Sequence, residues 1–81
     1  MFGEMVTIEV RHKDIHTDDL RCIALIAQHY MEEVGVVDFC KVKRNDSNDV
    51  CTLLCWTEGP IKLIRIFLNK YFPMWEWIVN D

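Results

Sequence analysis

The sequence predicts a small α+β protein with four strands and two helices in the order β-α-β-β-α-β. Residues Met5–Arg11 alternate apolar and polar side chains, which is typical of a strand with one buried face. Apolar residues then recur at helical spacing as far as Val34, just before Gly35. The last eight residues, Met74–Asp81, follow Pro73 and are rich in aromatic and β-branched side chains, which predicts a closing strand.

The first helix is predicted from about Asp18 to Val34. Thr17 is a good N-cap, and Asp18 and Asp19 place negative charge in the first turn, where it complements the helix dipole. Gly35 stands where a left-handed C-cap is expected. The predicted buried stripe consists of Leu20, Ile23, Ala24, Ala27, Met31 and Val34.

The second helix is predicted to begin at Gly59 and Pro60, with Pro60 at the first helical position, where its missing N–H costs nothing. Pro73 ends this helix. Its predicted buried stripe consists of Ile61, Ile64, Leu68, Tyr71 and Phe72.

The two middle strands are predicted as Val36–Arg44 and Val50–Thr57, because the residues between them favour a tight turn. A turn on Asp46 and Ser47 would place Asn45 opposite Asn48. This register predicts four opposed pairs, namely Val42 with Cys51, Cys40 with Leu53, Phe39 with Leu54, and Val37 with Trp56.

Two split β-α-β units with right-handed crossovers predict the antiparallel strand order 4-1-3-2, with both helices on one face of the sheet. This two-layer arrangement resembles the ferredoxin-like fold. The resemblance covers the whole chain and rests on element order alone. Many unrelated activities share that fold, so the resemblance implies an architecture and no particular function.

Composition narrows the class of protein. With 81 residues, the chain is predicted to form one domain spanning residues 1–81, and 51% apolar residues supply a core without a metal or disulfide. A net charge of −4 disfavours non-specific binding to nucleic acid.

No apolar run is long enough to cross a membrane, and the N-terminus lacks a secretory signal. We therefore expect a cytoplasmic protein with reduced cysteines.

Both faces of the predicted sheet carry apolar residues. Five residues that include three cysteines are assigned to the helix side: Cys40, Val42, Cys51, Leu53 and Cys55. The open face then presents Val37, Phe39, Leu54 and Trp56, with Lys41 and Lys43 as a polar rim. Met74 and Ile78 extend this face from the far edge if Trp75, Trp77 and Val79 point into the core. Asp38 has to lie near a sheet end or find a partner.

An exposed apolar cluster on a sheet usually marks a partner site. We therefore predict a protein-interaction module rather than an enzyme, acting as a homodimer or as an inhibitor or adaptor of a larger protein. Its predicted partner-binding residues are the open-face residues and their two-lysine rim. The alternatives are that the predicted register is incorrect, or that Met1 and Phe2 fold over this face and cover it.

The sequence leaves two alternative functions open. Stacking of bases on Phe39 and Trp56, beside the basic segment Lys41–Arg44, would bind RNA or single-stranded nucleic acid. His12, Asp14 and His16 are weak candidates for a metal-dependent activity in the loop after the first strand. Their spacing matches no established ligand pattern, so the sequence predicts no cofactor. No nucleophile elbow or phosphate-binding glycine loop is present.

The cysteines allow one further chemistry. Cys51 and Cys55 cannot share an ion, because four residues of strand separate them by about 13 Å. Cys40 with either Cys51 or Cys55 forms a candidate redox pair across the hairpin. Cys22 falls outside the main apolar stripe of its helix and is the candidate for the most reactive thiol.

Overall fold

A computed structural model describes residues 3–12, 17–43 and 50–80. It contains four strands and two helices in the predicted order. The elements are β1 Glu4–Arg11, α1 Thr17–Val34, β2 Phe39–Lys43, β3 Val50–Thr57, α2 Ile61–Tyr71 and β4 Glu76–Asn80. The predicted turn on Asp46 and Ser47 lies outside the described residues, as do Met1, Phe2, Asp14 and His16.

The four strands form one antiparallel sheet in the order β2-β3-β1-β4. β1 and β3 are central, which places β2 and β4 at the two edges. Because side chains alternate along a strand, one face of this sheet collects the buried residues of all four strands. The other face carries the alternate residues of each strand.

The hydrophobic core lies between the buried sheet face and both helices. The sheet contributes Val6, Ile8, Val10, Cys40, Cys51, Leu53, Cys55, Trp77 and Val79. The helices contribute Leu20, Ala24, Ala27, Met31, Ile64 and Leu68. The sequence assignment of the cysteines, Leu53 and Val42 to the helix side is therefore confirmed, with Val42 half-buried.

The predicted hairpin register is wrong by two residues. The structure pairs Cys40 with Cys55 and Phe39 with Trp56, where the sequence predicted Leu53 and Leu54 as partners. The side-chain direction repeats every two residues along a strand, so a shift of two leaves every side chain on its predicted face. A shift of one residue would have exchanged the faces. The face assignment was therefore correct although the partners were not.

The segment between α1 and β2 also differs from prediction, because β2 begins at Phe39 rather than at Val36. Gly35 has a φ of +85°, the left-handed conformation expected of a C-cap. The Met31 carbonyl accepts hydrogen bonds from the N–H groups of Gly35 and Val36, at 3.0 and 3.1 Å. The chain then turns inward, and Val37 is only 2% exposed. Val37 therefore belongs to the core, which corrects its predicted place on the open face.

The ends of the helices bring three further corrections. Pro60 is the N-cap of α2 rather than its first helical residue. Val34 and Tyr71, both predicted in buried stripes, are each 58% exposed. Each of these two residues is the last residue of its helix.

The residues around the start of β2 are held by polar contacts. The Asp38 N–H donates to the Trp56 carbonyl at 2.8 Å, and the Asp38 carboxylate accepts from the Glu58 N–H at 2.8 Å. The sequence expectation that Asp38 lies near a sheet end or finds a partner is confirmed, and the structure shows both. These bonds fix the end of the sheet at which Phe39 and Trp56 lie opposite each other.

In the part of the chain that the structure describes, neither helix has the length and apolar character that crossing a membrane requires.

Candidate binding surfaces

The open face of the sheet has an apolar corner, which we define as Phe39, Trp56, Met5 and Leu54. The sheet register places the first three in one row across β2, β3 and β1, and Leu54 lies in the next row. Phe39 and Met5 are 53% and 51% exposed, while Leu54 and Trp56 are half-buried. An aromatic ring next to apolar neighbours and open to solvent is a typical anchor for a partner.

The N-terminal end of the described chain partly covers this corner. Gly3 lies so close to Trp56 that a Cβ atom at Gly3 would overlap the Cε2, Cζ2 and Nε1 atoms of the indole ring. The missing side chain of glycine permits this approach of backbone to ring. This contact explains why Trp56 is less exposed than Phe39. Whether Met1 and Phe2 continue the cover lies outside the described residues.

Charges on the open face are separated across the sheet. Lys41 and Lys43 are exposed on β2, next to the apolar corner. Glu9 pairs with Arg11 at 3.1 Å on β1, and Glu76 is exposed on β4. The β2 edge is thus locally basic on a chain whose net charge is −4. The predicted lysine rim is where the sequence placed it.

A second apolar surface covers the outside of the helices, and the sequence reasoning missed it. Among the described residues, seven of the ten strongly exposed large apolar side chains belong to α1 or α2. We call these seven the helix surface: Leu25, Ile26, Tyr30, Val34, Leu63, Ile66 and Tyr71. Each is at least 43% exposed. This surface contains seven strongly exposed apolar side chains, whereas the apolar corner of the sheet contains two, Phe39 and Met5.

The two helices form a groove within this surface. Tyr30, Val34, Phe67, Tyr71 and Phe72 line a cavity of about 440 Å³. The lining rings pack against one another, with centroids 4.8 Å apart for Phe67–Tyr71 and 6.3 Å apart for Tyr30–Phe72. Packed rings give a groove a rigid shape before a partner binds.

A second hollow adjoins the first, because Tyr30 lines both. Leu25, Ile26 and His29 complete its walls, and its volume is about 410 Å³. His29 lies 3.3 Å from Glu33, and the Lys70 ammonium lies 5.3 Å from the centroid of the Tyr71 ring. The apolar helix surface therefore has charges of both signs at its rim.

A signal for this surface was present in the sequence. In α1, Ile26 and Tyr30 are four residues apart and lie on one flank of the predicted core stripe, and Leu25 lies on the opposite flank. A helix that is apolar on two sides has more apolar surface than one sheet face can cover. The prediction included Val34 in the core stripe and left Leu25, Ile26 and Tyr30 unassigned.

The candidate metal ligands are only partly described. The ring of His12 packs edge-on against Trp75, with centroids 5.2 Å apart. Asp14 and His16 lie outside the described residues, so the predicted cluster stays a prediction. Within the described ranges, no group of three or more histidine, cysteine or acidic side chains is arranged to hold a metal ion.

Three cysteines are buried on the helix side of the sheet, whereas Cys22 is exposed on α1. The Sγ atoms of Cys40 and Cys55 are 2.7 Å apart. The hydrogen bond to Cys40, together with burial, raises the pKa of the Cys55 thiol. Burial also raises the pKa of the Cys51 thiol. Both thiols therefore stay protonated at neutral pH.

Comparison with known protein families, curated proteins and solved structures finds no match to this chain. The class that the fold and surfaces define is a small α+β protein with an apolar corner on its sheet and a wider apolar surface on its helices. Its function has to be inferred from the chemistry of these surfaces.

Proposed function

We propose that this protein is an interaction module of ferredoxin-like architecture that binds other protein chains. The observation that supports it is the exposure of ten large apolar side chains among the described residues of an 81-residue chain. Exposed apolar area of this extent is unfavourable in water, at roughly 25 cal/mol per Å². Contact with a partner removes that cost.

The helix surface is proposed as the site of self-association. Seven half-exposed apolar side chains supply on the order of 600 Å² of apolar area, and a stable dimer buries about 800 Å² per partner. Glu33 and Lys70 place opposite charges at the rim. In a two-fold dimer, an acidic group of one copy can meet a basic group of the other, because both copies present the same patch.

Solution mass measured by light scattering over a range of concentrations tests this proposal. We expect the mass to rise to twice that of the monomer, and Ile66→Glu to keep it monomeric. Phe39→Glu, a matched charge on the other layer, is expected to leave the dimer intact. A wild-type protein that remains monomeric at every concentration would refute self-association.

The open sheet face is proposed as the site for a second, larger protein. Here Phe39, Leu54 and Trp56 are the apolar contacts, and Lys41 and Lys43 supply positive charge beside them. The proposed partner segment is therefore acidic, with apolar side chains between its carboxylates. Charge complementarity of this kind favours the correct partner and speeds association.

Peptides that alternate glutamate with leucine or tryptophan are suitable probes for this face. We expect them to shift the NMR signals of Phe39 and Trp56, with weaker binding to Lys41→Glu and at higher salt. Lys62→Glu, a charge reversal on α2, serves as the control. If single-stranded oligonucleotides shift the same signals and the peptides do not, the face binds nucleic acid instead.

A further inference from the structure

Cys40 and Cys55 are opposite each other in the sheet, at the junction of edge strand β2 and central strand β3. Their Sγ atoms are 2.7 Å apart, in the core and nearly inaccessible to solvent. A disulfide bond is about 2.05 Å long, so bond formation requires the sulfur atoms to approach by only about 0.7 Å.

The backbone around the pair also suits a disulfide. The Cys40 N–H donates to Oε2 of Glu32 at 2.9 Å, so it does not bond the carbonyl of its opposite residue, Cys55. The two cysteines therefore occupy a non-hydrogen-bonded position of the antiparallel ladder. Such positions bring opposed Cα atoms to about 4.5 Å, within the range of about 4.4–6.8 Å that a disulfide spans.

The geometry favours a Cys40–Cys55 disulfide over a zinc site and over a Cys40–Cys51 pair. Two thiolates bound to one tetrahedral zinc ion at about 2.3 Å each lie roughly 3.8 Å apart, which is wider than the observed sulfur separation. Cys51 has its Sγ atom 3.8 Å from the Lys43 carbonyl and is paired across the sheet with Val10. Of the two pairs that the sequence left open, the structure favours Cys40 with Cys55.

We propose that Cys40 and Cys55 form a reversible intramolecular disulfide by exchange with a low-molecular-weight disulfide. The Cys40 thiolate attacks one sulfur of that disulfide, which forms a mixed disulfide and releases one small thiol. The Cys55 thiolate then attacks the Cys40 sulfur and releases the second small thiol. The two protein thiols lose two electrons and two protons, and the small disulfide is reduced to two thiols.

The positions of Cys40 and Cys55 in the sheet determine the order of these two steps. Cys40 lies on a five-residue edge strand, which separates from the sheet more readily than the central strand that carries Cys55. The hydrogen bond to Cys40 and burial raise the pKa of the Cys55 thiol, so Cys55 remains protonated until Cys40 has reacted. The new bond joins the edge strand to β3 and stabilises that side of the sheet.

Incubation of the full chain with reduced and oxidised glutathione at several ratios tests the proposal. Mass spectrometry of the alkylated, digested protein is expected to show a loss of two hydrogens and a crosslink between peptides containing Cys40 and Cys55. The oxidised form is expected to melt about 10 °C higher, since the bond closes a loop of about 15 residues.

Cysteine-to-alanine variants identify which residues form the crosslink. Cys22→Ala and Cys51→Ala are expected to form the same crosslink, whereas Cys40→Ala and Cys55→Ala are not. A crosslink through Cys22 or Cys51, a stable glutathione adduct on Cys40, or no oxidation in the most oxidising buffer would each overturn the proposal. Identification of the crosslinked cysteines in the wild-type protein tests the proposal even if a variant of a core cysteine fails to fold.

Discussion

The Glu32 side chain on α1 accepts a hydrogen bond from the backbone N–H of Cys40 on β2, at 2.9 Å. Cys40 lies on an edge strand, where an unpaired N–H group is a template for another strand. The carboxylate therefore satisfies this donor and holds the helix against the edge of the sheet. One side chain of α1 thus protects the sheet edge nearest the proposed partner site.

Loss of this acceptor is expected to destabilise the protein. Glu32→Ala removes the bond to the Cys40 N–H and is expected to lower the free energy of unfolding by about 1–2 kcal/mol. Glu32→Gln keeps an oxygen acceptor and is expected to lose less. Urea denaturation measures both, and equal losses in the two variants would mean that the hydrogen bond contributes nothing.

The contact between Gly3 and Trp56 gives a second prediction. Gly3→Ala cannot keep this contact, because the new methyl group would overlap the indole ring. We expect the segment to move away and the indole N–H signal of Trp56 to shift and exchange faster with water. Gly59→Ala is the control, since a Cβ there meets only Thr57 Oγ1 at 3.6 Å. An unchanged Trp56 signal would contradict the contact.

The end of α1 depends on the backbone conformation of Gly35. Its φ of +85° is strained for residues with a side chain, although a Cβ atom there would meet no neighbour within 4 Å. Gly35→Ala is therefore expected to cost about 1–2 kcal/mol through the backbone alone. Gly35→Asn is expected to cost less, because asparagine tolerates this conformation better. Thermal unfolding of both variants measures these losses of stability. A Gly35→Ala variant as stable as the wild-type protein would refute the prediction.

The buried thiols predict a loss of stability in alkaline solution. The pKa values of Cys51 and Cys55 are raised in the folded state, so above the ordinary thiol value of 9.0 the unfolded chain releases protons that the folded chain keeps. Stability from these groups is fully present below that pH and falls above it, by up to about 1.4 kcal/mol per pH unit for each thiol.

Denaturation of the reduced protein from neutral to alkaline pH measures this loss. Cys51→Ala is expected to flatten the decline, because one of the two shifted groups is removed. Cys22→Ala serves as the control, since Cys22 is exposed rather than buried. Identical slopes for all three proteins would show that the buried thiols do not control the decline.

Trp77 connects β4 to the end of α2. Its Nε1–H donates to the Phe72 carbonyl at 3.0 Å, and its ring lies 6.0 Å from the ring of Phe72. Trp77→Phe is expected to cost about 1–3 kcal/mol, because it leaves that carbonyl without this donor and removes buried area. Trp56→Phe, on the open face, is expected to cost less in the same urea titration.

Periodicity predicted the strands and helices well because local chemistry decides them. The alternation in β1 and β3 made the buried face visible, and the Gly35 cap and the α1 stripe followed from residue types alone. Val37 could not be placed in this way. Its burial depends on the turn after α1, which directs the chain inward before β2 begins.

The candidate surfaces were predicted only in part for a similar reason. Phe39, Lys41 and Lys43 lie on the open face as expected, because that depends on a two-residue repeat. The helix surface depends on how the two helices pack on the sheet and against each other, which residue spacing alone does not determine. Tyr71 and Val34 fit a buried stripe by spacing, yet each is 58% exposed and lines the cavity between the helices.

The sequence by itself determined the element order, the two faces of each strand and the apolar excess, since these follow from residue type and spacing. The tertiary structure decided which residues meet across strands. Cys40 opposes Cys55 rather than Leu53 because distant packing against α1 and β1, rather than the local pattern, selects between registers that keep the same faces.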